Sequence, residues 1–139
     1  MTGPGGAKEQ VGRLLRTMER LGILDDSIVV FTSDNGGLST LLKNTGPTSN
    51  LPLRAGKGWL YEGGIRVPLL VRLPDGLERT IDAPLVTMDL FPTLLDLAGL
   101  PASERAVDGV SWKGTLLQDQ PPPTRPHFRP VRRNPRHHR

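Results

Sequence analysis

None of the 139 positions is a cysteine. Disulfides, thiolate metal sites and a cysteine nucleophile are therefore excluded, and thiol usage says nothing of the redox compartment. Long apolar runs are also missing. No stretch approaches the roughly 18 residues that a membrane-spanning helix needs. The opening Met1-Thr2-Gly3-Pro4-Gly5-Gly6-Ala7-Lys8 lacks the apolar core of a secretory signal, so the expectation is a chain with no membrane segment and no readable address. Histidine is confined to His127, His137 and His138 near the carboxyl end. Acidic residues stop at Asp119, and six of the 18 basic residues follow it (Arg125, Arg129, Arg132, Arg133, Arg136, Arg139). With twelve basic and fourteen acidic residues, positions 1–119 are net −2 although the whole chain is +4. A basic groove in the body has no support, and nucleic acid is not an expected partner of it.

Hydrophobic residues make up 36% of the chain, with 16 glycines and 14 prolines. That composition suits a loop-rich domain with a modest core. Its most ordered stretch is Ile28-Val29-Val30-Phe31-Thr32-Ser33-Asp34-Asn35-Gly36-Gly37. Five strand formers without polar alternation predict a strand buried on both faces of a parallel sheet. Asp34 and Asn35 then emerge at its carboxyl end, where ligands sit in open α/β sheets. Taken alone, Asp-Asn-Gly-Gly after a strand is more often a plain turn.

Val11, Leu14, Leu15, Met18 and Leu21 share one helical face and predict a helix from about Ala7 to Leu21, stopped by Gly22. Asp25-Asp26-Ser27 connects it to the strand. From Leu38 to Leu60 there is no periodicity, and a loop of that length is a site candidate. Val67 to Leu73 reads as a second strand, with Pro68 tolerable near its start or on an edge. Leu85 to Leu100 reads as a helix with Pro92 in its first turn and Gly99 and Pro101 at its end. Trp112, Leu116 and Leu117 are the last candidate core residues. The expected organisation is one body over 1–119 and a disordered Pro/Arg-rich tail over 120–139.

Three stretches stand out in series: Thr32-Ser33-Asp34-Asn35-Gly36-Gly37, Leu53-Arg54-Ala55-Gly56-Lys57-Gly58, and Tyr61-Glu62-Gly63-Gly64-Ile65-Arg66-Val67-Pro68. Together with Met88-Asp89-Leu90-Phe91-Pro92-Thr93-Leu94-Leu95 and Asp108-Gly109-Val110-Ser111, their order and separation resemble the sulfatase family over about residues 7–117. The resemblance implies an alkaline-phosphatase-like α/β fold, a mostly parallel sheet flanked by helices. It also implies that Asp34 and Asn35 are oxygen ligands of a divalent cation, usually calcium, and that Lys57 contacts the sulfate of a sulfate ester substrate. Carboxylate and amide oxygens are hard donors, and a lysine is a point charge for a tetrahedral anion. Read without the family, Lys57 is a solvated surface lysine. Glu62 and Arg66 are read as a charged pair that fixes the loop around two glycines.

The nucleophile that the resemblance implies, a formylglycine made within Cys/Ser-x-Pro-x-Arg, has no counterpart here. Asn50-Leu51-Pro52-Leu53-Arg54 matches in spacing, but an asparagine is not convertible. The implied upstream acidic metal ligands, histidines and second lysine have no match either. The expectation is therefore a carboxyl-side piece of a sulfuric ester hydrolase, inactive alone, arising by truncation, an internal start or an out-of-frame tail. In the intact enzyme the resemblance implies attack of the hydrated formylglycine on sulfur and departure of the ester alcohol. Two alternatives stay open. One is a phosphonate or phosphate monoester hydrolase of the same superfold. The other is an inert body whose Arg-rich tail binds anions or nucleic acid.

Overall fold

The structure, a computed structural model, describes residues 6–39, 48–74, 76 and 78–123. The middle of the long loop, 40–47, and most of the segment read as a tail, 124–139, lie outside the described residues. Two compact units divide the chain, Met1–Glu78 and Arg79–Arg139.

The first unit opens with α1, Ala7–Arg20. Its alanine, leucines, glutamates and arginines are good helix formers, and glycine ends it as the sequence predicts. Gly22 takes φ +67°, Gly22 N donates to Glu19 O at 2.9 Å and Ile23 N to Met18 O at 3.0 Å. These are the two bonds of a Schellman stop, which requires a left-handed residue at that position. No residue of α1 is buried. On its apolar stripe Val11, Leu15 and Met18 are half-buried and Leu14 and Leu21 exposed.

After the 3-10 turn Leu24–Asp26 comes β1, Val29–Thr32, which pairs with β2, Leu69–Arg72. The pairing is antiparallel, Val29 facing Arg72 and Thr32 facing Leu69, so these two strands do not pair in the parallel sense expected of the sheet. The physical reason is the connection. A parallel pair needs a crossover to the opposite end of the strand, usually a long helix. Here residues 33–68 leave β1 and re-enter β2 at the same end, and the helix among the described residues between them is the short α2, Glu62–Ile65. The described residues leave part of the hairpin open: Phe31 is 37% exposed and Leu70 58%. Pro68 stands just before β2, where its missing N–H removes no ladder bond. Arg72 anchors the preceding turn, donating to Leu24 O at 2.8 Å and to Asp25 Oδ1 at 3.0 Å. Among the described residues of this unit, Leu73 is the buried large hydrophobic.

The second unit is built on α3, Leu90–Leu97, and α4, Lys113–Gln118. Helix α3 is shorter than the predicted 85–100 because the stretch before it, Thr87–Asp89, winds as a 3-10 turn. Pro92 lies in the first turn as expected, and Gly99, at φ +68°, closes the helix with Leu100 N donating to Leu95 O at 2.9 Å. Trp112, 2% exposed, is the hydrophobic centre, and its N–H donates to Thr93 Oγ1 at 3.0 Å. Asp89 is 1% exposed and accepts from Val86 N at 3.2 Å and Val110 N at 2.9 Å. Arg79 donates to Thr115 O at 3.0 Å, satisfying a carbonyl of the last turn of α4, and pairs with Asp119 at 3.4 Å. Gln120 N donates to Gly114 O at 3.2 Å and Thr115 Oγ1 to Pro121 O at 3.4 Å. Of the residues expected in the core, Leu116 is half-buried and Leu117 exposed.

Asp96 links α3 to α4. Ser111 Oγ donates to Asp96 Oδ2 at 2.6 Å, and Lys113 Nζ donates to Asp96 O at 2.8 Å and Oδ1 at 3.3 Å. The Ser111 hydroxyl first, then the Lys113 ammonium, holds the carboxyl below the ordinary aspartate pKa of 3.8. A depressed pKa stabilises the fold above the unfolded value, and that contribution is lost as pH falls through the folded one. The urea midpoint is therefore expected to drop below about pH 4, and Asp96→Asn to show a shallower drop. Identical acid profiles for the two proteins would contradict the assignment.

Candidate functional site

The motif loops occupy the end of the hairpin where β1 hands over to residues 33–68. Ser33 Oγ donates to Asn35 O at 2.8 Å, folding the chain into a tight turn directly after the strand. Asn35 Nδ2 donates to Gly36 O at 2.9 Å, and its Oδ1 accepts no hydrogen bond among the described residues. Asp34 is exposed and its carboxylate has no hydrogen-bond or ion-pair partner among the described residues. The side-chain oxygens of these two consecutive residues thus accept no hydrogen bond among the described residues. Among the described residues no cluster of three or more His, Cys, Asp or Glu forms.

Three main-chain bonds join the separate motifs. Gly36 N donates to Gly64 O at 2.9 Å, Gly63 N to Arg54 O at 2.9 Å and Lys57 N to Gly37 O at 3.1 Å. The approach is so close that a Cβ on Gly36 would overlap the carbonyl oxygen of Gly63 and stand 2.9 Å from Gly64 Cα. Gly36, Gly56, Gly63 and Gly64 are all buried. These four glycines of the sequence pattern are therefore where backbone packs on backbone. Lys57 is held by its main chain, while its side chain is exposed, with no partner among the described residues.

The flanks of Lys57 are tied to one another. The Arg54 guanidinium lies 3.9 Å from the centroid of the Tyr61 ring, and Trp59 stacks on Tyr61 with centroids 6.2 Å apart. A cation over an aromatic face contributes about 0.5–1 kcal/mol at an exposed site. The Glu62–Arg66 pair forms at 3.4 Å, yet its side chains are 63% and 64% exposed. An exposed i,i+4 pair contributes only about 0.3–0.5 kcal/mol. The contacts around the two glycines outweigh it in holding the loop.

Asn50, which the sequence marked only as a non-convertible residue in a chance match of spacing, ties the loops together. Its Oδ1 accepts from Gly37 N at 3.0 Å, and its Nδ2 lies 2.8 Å from Gly37 O, 2.9 Å from Ser39 Oγ and 3.0 Å from Ala55 O. Ser39 Oγ in turn donates to Ala55 O at 3.0 Å. No spacing signal reveals this, because the partners lie 13, 11 and 5 positions away.

Residues 7–100 match the family model described as Sulfatase. The chain is 40% identical over 108 residues to arylsulfatase A of Homo sapiens, covering 77% of this chain and 21% of that protein. It is 43% identical over 106 residues to steryl-sulfatase of Mus musculus, covering 71% and 17% respectively. To N-acetylgalactosamine-6-sulfatase of Mus musculus it is 39% identical over 115 residues, covering 81% and 22%. The chain thus spans about a fifth of the length of the curated relatives it matches. With the family model covering well over half of the chain and the motif loops assembled into one cluster, this chain belongs to the sulfatase family.

Proposed function

We propose that this chain carries one part of a sulfuric ester hydrolase active site. In this reading Asp34 and Asn35 are oxygen ligands of a divalent cation and Lys57 is the cationic contact of the substrate sulfate. The observation that carries it is the joining of the Asp34-Asn35 turn and the Lys57 loop through the Lys57 N to Gly37 O bond. It puts hard oxygen donors and a cationic side chain on neighbouring segments of one cluster.

The residues fit part of the shell of a calcium ion. The Asp34 carboxylate and the Asn35 carbonyl are oxygen donors with no competing hydrogen bond among the described residues. Calcium takes about 6–8 oxygens, so other segments complete the shell. Bound there, the ion supplies positive charge to the sulfate oxygens. Lys57, freely exposed, orients the anion and lowers the cost of charge on it. Neither group attacks sulfur. The sequence holds no cysteine and no Ser-x-Pro-x-Arg, so the 139 residues provide no nucleophile of the implied kind.

Turnover of a chromogenic aryl sulfate with calcium present tests the proposal. The chain alone is expected to stay at background. Grafted onto the amino-terminal portion of a related sulfatase, it should give turnover. Lys57→Ala should then lower activity by roughly 10–150-fold, the worth of one charge-assisted bond of about 1.5–3 kcal/mol. Asp34→Ala should lower it too and raise the calcium concentration required. A folded graft with no activity, or activity indifferent to both substitutions, would sink the reading.

A further inference from the structure

We propose that Asn50 is a positioning residue: its side-chain amide locks the Lys57 loop to the Asp34-Asn35 turn and thereby sets where the Lys57 ammonium stands. The inference rests on the roles proposed above for those residues.

The geometry is that of a side chain replacing a strand partner. Asn50 engages both the N–H and the C=O of one residue, Gly37, at 3.0 and 2.8 Å. The same Gly37 carbonyl accepts the Lys57 N–H at 3.1 Å. One carbonyl oxygen is therefore shared by the asparagine and by the main chain of the candidate sulfate contact. The Asn50 amide reaches across to Ala55 O as well, two residues before Lys57. Glycines make room for it on both sides. A Cβ on Gly37 would stand 2.8 Å from Asn50 Oδ1, and one on Gly56 would stand 2.6 Å from Asn50 Nδ2.

A primary amide of this length matches the set of partners. The Gly37 N–H takes an acceptor, and the Gly37 and Ala55 carbonyls, which also accept from Ser39 N and Lys57 N and from Ser39 Oγ respectively, each take one further donor. An aspartate matches the shape but turns both donors into acceptors facing carbonyl oxygens. Lys57 carries its charge on a flexible four-carbon stem. Fixing its main chain is thus the means available to this loop for limiting where the ammonium reaches.

Amide hydrogen exchange on the full chain tests this, read as protection factors at Gly37, Lys57 and the β1–β2 ladder. In Asn50→Asp at about pH 7, protection at Gly37 and Lys57 is expected to fall about tenfold, the factor that one lost hydrogen bond of ordinary worth gives. The ladder amides should keep theirs. The Gly37 and Ala55 carbonyl oxygens facing the new carboxylate disfavour its charged form. At about pH 4 the neutral carboxyl again offers one donor and one acceptor, so Lys57 protection should return. Asn50→Ala should lose the same protection and not regain it. Recovery with protonation is a signature that a purely space-filling role does not produce. Unchanged Lys57 protection in both variants, loss shared equally by the whole ladder, or Asn50→Asp failing to recover would each overturn the assignment. The measurement needs neither cation nor substrate. Its failure would remove the role of Asn50 and leave the proposed function standing, whereas an inactive graft would do the reverse.

Discussion

Asp89→Ala is expected to destabilise the chain by about 3–5 kcal/mol, the range for breaking a buried, hydrogen-bonded charge site. Asp89 is the most deeply buried polar residue among the described residues, at 1% exposure, and its two oxygens accept from Val86 N at 3.2 Å and Val110 N at 2.9 Å. Those donors belong to segments more than twenty residues apart, so one carboxylate joins the entrance of α3 to the turn that leads into α4. Alanine removes two charge-assisted bonds of about 1.5–3 kcal/mol each and leaves N–H groups with no acceptor. Asparagine keeps one acceptor oxygen and presents an NH2 to the second N–H, so Asp89→Asn should lie between wild type and alanine. Urea unfolding followed by Trp112 fluorescence reads the change, because Trp112 is 2% exposed in the same unit. A loss for Asp89→Ala under about 1 kcal/mol, the level of an ordinary surface change, would show that water replaces the carboxylate.

Gly36→Ala should cost about 2–4 kcal/mol, from overpacking of about 1–3 kcal/mol and a lost hydrogen bond of about 1 kcal/mol. The obstacle is main chain, not a side chain able to swing away. The added methyl would overlap Gly63 O and stand 2.7 Å from Gly63 C. Relief requires separating the Asp34-Asn35 turn from α2, which breaks the Gly36 N to Gly64 O bond of 2.9 Å. Gly12→Ala is the control. Its methyl meets only the mobile end of Arg16, at 3.2 Å, and it lies inside α1. Alanine there should be stabilising by up to about 1 kcal/mol, the difference in helix propensity. Denaturation midpoints that fall for Gly12→Ala and stay level for Gly36→Ala would contradict the close-packed arrangement of the loops.

How much of this was legible beforehand depends on the range of the interaction. Helix α1 could be placed within a residue, with its glycine stop, because apolar spacing and the left-handed conformation at Gly22 are local properties. Pro92 marked the first turn of α3 for the same reason: a missing N–H is harmless only there. Both strands were found near their observed limits from β-branched composition. Family membership was legible because glycines and charged residues recur in a fixed order along the chain, and the comparisons bear it out.

What only the tertiary structure decided is what those elements meet. An apolar run without alternation is the same string whether its strand runs parallel or antiparallel, and whether its faces are covered or open. The direction was set by the 33–68 connection returning to the end of β1 it had left. Gly36 against Gly63, Asn50 around Gly37, and Asp89 between Val86 and Val110 are likewise contacts across long separations. Sequence periodicity reports the face a residue shares with its neighbours a few positions away. It carries no term for a hydrogen bond closed over a loop. The roles of Asn50 and Asp89 in holding their loops were therefore not legible until the folded chain brought their partners within 3.2 Å.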